Sequence, residues 1–110
     1  MRTKVYSDED IPRSVSRVVA AICADYDRRE HMIKYSAATG AVLDRSVELN
    51  AAVEQALSAV ESGIRDSMLR DIALGVGYER SPVSLMLSKG AYYRRRKQII
   101  HDIAVRLSLM

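Results

Sequence analysis

Apolar residues along this chain recur at three- and four-residue steps, and nowhere do they alternate singly between turn signals. Val15, Val18, Val19, Ile22, Tyr26 and Ile33 form a first stripe. It predicts one long amphipathic helix, entered at Ile11-Pro12 and stopped near Thr39-Gly40. Val47, Ala51, Val53, Leu57 and Val60 predict a second helix from about Leu43 to Val60, with Ala52, Ala56 and Ala59 allowing close approach of a neighbour. After Ser62-Gly63 a third helix carries Ile64, Met68, Leu69, Ile72 and Ala73, and frays at Gly75-Val76-Gly77. Ser81-Pro82 then reads as the cap and first position of a very short helix to about Leu87, with Val83, Leu85 and Leu87 on its apolar side. Ser88 caps a last helix that carries on toward Met110. The expectation is an all-α fold, a small bundle of four to five helices ending in a helix-turn-helix. Residues 1–10 read as a loose arm, 11–110 as a single helical domain, and 78–108 as the helix-turn-helix region.

Composition sharpens this reading. The chain has 110 residues, enough for one core but not two. It has no Trp or Phe, so the core must be built from aliphatic residues and Met, which suits packed helices. Cys23 is the only cysteine and lies in an apolar run, which points to a small core residue and a reducing, cytoplasmic setting. No stretch approaches membrane-spanning length, and the first ten residues lack the apolar run of a signal peptide.

The net charge of +3 is unevenly distributed. Residues 1–88 hold eleven Lys/Arg against thirteen Asp/Glu, whereas 89–110 hold six against Asp102 alone, so the last segment carries +5. A basic end on a slightly acidic body predicts an anionic partner. Its centre is Ser88-Lys89-Gly90-Ala91-Tyr92-Tyr93-Arg94-Arg95-Arg96-Lys97, which leads into Gln98–Leu107. These cations share one sign, lack acidic i+4 partners and oppose the helix dipole, unlike an ordinary solvated face.

At about 100° per residue, Tyr93, Ile100, Ile103, Ala104 and Leu107 fall together and are expected to pack inward. Ala91, Arg94, Arg95, Gln98 and Asp102 fall opposite. Arg94, Arg95 and Gln98 are the side-chain types that pair bidentately with guanine and adenine edges. Arg96 and Lys97 flank the core face and are expected to reach phosphates. Tyr92 is expected at the boundary. The DNA-binding set is therefore Ser88, Lys89, Ala91, Tyr92, Arg94, Arg95, Arg96, Lys97 and Gln98.

The stretch from Tyr78 to Leu107, with Ser88, Tyr92-Tyr93-Arg94, the basic continuation and the tail of Ile100, Ile103, Ala104 and Leu107, resembles the C-terminal part of ArpU/RinA-type phage transcriptional regulators. The resemblance covers about thirty residues. It implies a helix-turn-helix similar to region 4 of sigma factors, and a role in activating late genes of phages or prophages. It also puts Ser88, Ala91, Tyr92, Arg94, Arg95 and Gln98 in the DNA-facing positions.

No catalytic arrangement emerges. His31 and His101 lack a second ligand at metal spacing, and Gly75 and Gly77 lack the rest of a phosphate loop. The expectation is a non-enzymatic regulator with no cofactor, bound to double-stranded DNA. It is helped by RNA polymerase or by homodimerisation through the N-terminal helices, and has no membrane partner. The competing expectation is a non-catalytic phage assembly or adaptor protein whose basic end touches DNA without reading sequence.

Overall fold

A computed structural model describes residues 11–35 and 40–110; the expected arm over 1–10 and helix stop at Thr39 lie outside them. Five α-helices follow one another: α1 (Arg13–Ala24), α2 (Tyr26–Tyr35), α3 (Ala41–Leu57), α4 (Arg65–Leu74) and α5 (Lys89–Arg106). Short 3-10 turns stand at Ser62–Ile64, Tyr78–Arg80 and Pro82–Leu85, and there is no strand among the described residues. α1 packs against α4 and α5, while α3 packs against α5 and α2. Val19, Val53, Met68, Val83, Tyr92, Ile99 and Ile103 meet in the interior with almost no exposure. Cys23 is buried among them, and burial pushes its thiol up to about 12 against the opposing pull of Arg29.

The single long N-terminal helix is corrected to two. Asp25 leaves helical geometry (φ −99°, ψ 8°) between α1 and α2. The carbonyl of Ile22 accepts instead from the guanidinium of Arg29, which is only 3% exposed. Arg29 Nε also donates to Asn50 Oδ1 on α3 at 2.6 Å, and Asn50 Nδ2 donates to the Tyr26 carbonyl at 3.3 Å. A buried guanidinium must have its donors satisfied. The helix break supplies one acceptor and α3 another, and the Asp25 carboxylate lies 3.9 Å from Arg29 Nη1. Hydrophobic periodicity ran on through the break and so gave no sign of it.

α4 ends in a Schellman arrangement. Gly75 takes the left-handed conformation (φ 71°), and Val76 N–H reaches back to the Asp71 carbonyl at 2.9 Å. The segment that follows is irregular but anchored, since Tyr78 Oη donates to the Leu87 carbonyl at 2.6 Å. Ser81 Oγ accepts from Val83 N–H at 3.1 Å with Pro82 in first position, so the cap expected there is present. The helix it starts is a correction, however: it is one 3-10 turn over Pro82–Leu85, not a helix to about Leu87. With about three residues per turn, Val83 points in and Leu85 points away. Val83 is fully buried, and Leu85, expected on the apolar side, is 89% exposed.

Candidate nucleic-acid interface

The front of α5 is set by Ser88, whose Oγ accepts from Ala91 N–H at 3.2 Å. This cap satisfies one of the free amides of the first turn and fixes where the helix begins. The preceding turn brings Leu85 and Met86 to the surface beside it.

The inward face of α5 keeps the expected Ile103 and Ala104 and extends from the expected stripe toward Tyr92 and Ile99. Tyr92, Ile99, Ile103 and Ala104 are its buried line, with Tyr93, Ile100 and Leu107 half-buried against the core. Tyr92 is thus corrected from the boundary to the interior and is unavailable to a groove. Its ring meets those of Tyr78 and Tyr93 edge-on at centroid separations of 5.4 and 4.9 Å. Its hydroxyl donates to Asp71 Oδ2 at 2.8 Å, beneath the end of α4. Burial and then the Asp71 bond push the phenol up to about 12.

Arg96 follows Tyr92 by four residues and therefore lies on the same stripe. Its Nη1 donates to the Tyr92 hydroxyl at 2.9 Å and to the Val76 carbonyl, and its Nη2 reaches the Asp71 carbonyl at 3.5 Å. The guanidinium stands 5.9 Å from the Tyr92 ring centre. The expectation that Arg96 extends to phosphate is corrected: the capped end of α4 and the residue just past it present carbonyls to which this guanidinium donates. Only proximity of residues 71, 76 and 96 in the folded chain creates that demand.

Two other cations hold surface carboxylates. Arg95 makes two parallel bonds to Glu61, Nε to Oε1 and Nη2 to Oε2, both at 2.9 Å. Lys89 Nζ lies 3.1 Å from Glu79 Oε2. The Arg95 bond, with a smaller backbone contribution, holds the Glu61 carboxyl down at about 2. Lys89 likewise lowers Glu79. Glu61 and Glu79 lie 34 and 10 positions from their partners, beyond any helical spacing, so sequence reasoning could not single them out.

Arg94 differs from all of these. It is exposed and makes no ion pair or hydrogen bond with another described residue. It stands one turn beyond exposed Gly90; a Cβ there would lie 3.4 Å from Arg94 Nη1, so the missing side chain leaves this ridge open. Ser88 and Lys89 are also exposed, whereas Ala91, Lys97 and Gln98 are half-buried. Gln98, Arg94, Arg95, Glu61 and Ala59 line one shallow depression at the α3–α5 seam. The structure thus brings Ser88, Lys89, Arg94, Arg95 and Gln98 to the outside of α5 or its edge, and withdraws Tyr92 and Arg96. No protein-family profile, curated protein or solved structure matches this chain.

Proposed function

We propose that this protein is a DNA-binding transcriptional regulator that meets duplex DNA with the exposed front of α5. The observation that carries the reading is Arg94: a guanidinium on an open ridge beside Gly90, behind a capped helix start, with no carboxylate bonded to it among the described residues. Phosphate oxygens and guanine edges are the acceptors that suit such a group. Lys89 and Arg95, on either side, add positive charge whose present partners are solvent-accessible and exchangeable. Gln98, one turn on from Arg94, adds an amide that pairs with adenine. In this reading the protein works in the cytoplasm, is aided by RNA polymerase or a second copy of itself, and has no catalytic role.

Binding of labelled duplex fragments, titrated with salt, tests the proposal. Arg94→Ala is expected to weaken binding and to flatten the plot of log affinity against log salt by about 0.9, one phosphate contact. Arg106→Ala, at the far end of α5 where the side chain pairs with Asp102, is expected to leave that slope unchanged. Arg94→Lys separates base reading from phosphate binding. A relaxed preference among fragments supports base reading, whereas an unchanged preference favours the adaptor reading, in which the basic end touches DNA without regard to sequence. Equal binding by the wild type and Arg94→Ala defeats the assignment of this face.

A further inference from the structure

The pairing of Arg95 with Glu61 has the form of an occupied anion site. A carboxylate is held by two parallel N–H···O bonds of 2.9 Å, in a depression that also contains Arg94 and Gln98. The same guanidinium fork donates equally well to two phosphate oxygens. Glu61 is not part of a helix. It sits in extended backbone (φ −57°, ψ 136°) just ahead of the Ser62–Ile64 turn. That connection is pinned in place by Arg65, whose Nε donates to the Val60 carbonyl at 2.9 Å and whose Nη2 donates to that of Ser58 at 3.1 Å. The carboxylate is thus presented to Arg95 by a fixed turn, while its side chain remains 53% exposed and that of Arg95 30% exposed. A pair so open to water exchanges partners at little cost.

We infer that Glu61 is the internal occupant of a phosphate site on Arg95, and that duplex DNA must displace it to bind. The inference rests on the duplex-binding reading above and specifies one of its contacts. When a backbone phosphate replaces the carboxylate, the phosphate releases a counterion, but the freed Glu61 regains a cation. The net salt dependence of this contact in the wild type is therefore close to nil. Glu61 also then faces the phosphate as a like charge. Both effects act on every duplex regardless of sequence, so Glu61 holds down occupancy of random DNA and leaves recognition to Arg94 and Gln98.

The test is fluorescence anisotropy with a labelled duplex of mixed sequence, titrated across salt concentrations. Glu61→Gln is expected to tighten binding roughly two- to fivefold at low salt. It should also steepen the log–log salt slope by about 0.9. Glu61→Ala should reproduce both changes. In an Arg95→Ala background neither substitution should alter the slope, because the cation that Glu61 occupies is gone. If the wild type binds and Glu61→Gln leaves the slope unchanged, or if the steepening persists without Arg95, the inference is overturned while the duplex-binding reading stands. If the wild type fails to bind the duplex even at low salt, that reading falls and this inference with it.

Discussion

Arg29, at the join of α1 and α2, and Arg94, on the front of α5, are chemically the same residue in opposite circumstances. Arg29 is buried, with its donors on the Ile22 carbonyl and Asn50. Arg94 is exposed and has no partner among the described residues. Between these extremes lie Arg96, which donates to carbonyls at the capped end of α4, and Arg95, which holds a surface carboxylate. A guanidinium becomes structural where a helix ends within its reach, because the ending exposes carbonyls that need donors. It stays available for a ligand where the carbonyls and carboxylates around it are already bonded elsewhere, as Glu61 is to Arg95. The run Arg94-Arg95-Arg96 contains all three outcomes in consecutive positions, because successive residues of a helix point about 100° apart.

That comparison is most sharply tested by removing the buried member. Arg29→Ala strands Asn50 and the Ile22 carbonyl and opens a void, and is expected to cost about 3 kcal/mol in urea-induced unfolding. Arg29→Lys should recover only part of this, since an ammonium cannot span the same fork. At the other helix end, Tyr92→Phe removes the donor to Asp71 and the acceptor for Arg96. A loss of about 1–2 kcal/mol is expected. A loss as small as a surface substitution gives would show that this network adds nothing to stability beyond packing.

The smallest effect concerns pH. Glu61 is held from the ordinary 4.5 down to about 2, mainly by Arg95. A carboxyl with a lowered folded-state value contributes stability that is complete above its unfolded value and disappears as pH falls through the folded one. The Glu61–Arg95 pair should therefore contribute fully above pH 4.5 and lose its contribution between there and about 2. The pair is solvent-exposed, so only a slight shift in urea midpoint is expected in that window. Glu61→Gln should abolish that shift, and an identical acid dependence in both proteins would show that the pair is not maintained in solution.

Periodicity identified helices around Val53, Met68 and Ile103, because a stripe repeating at three and four residues suits no other regular structure. Ser81 and Ser88 were legible as caps because capping is local chemistry, decided within three residues. The break at Asp25 and the 3-10 form of Pro82–Leu85 were not legible, since neither interrupts the apolar pattern.

The interface divides along the same line. Local pattern was enough to gather cations at the start of one capped helix and to put Arg94 on a face opposite its apolar residues. Folding was needed to turn Tyr92 and Arg96 inward to Asp71 and Val76, and to bring Glu61 to Arg95. The difference comes from distance along the chain. A helix sets the directions of its own side chains through local geometry, but the acceptors waiting in those directions come from elements 20 to 34 residues away, and packing alone brings them there.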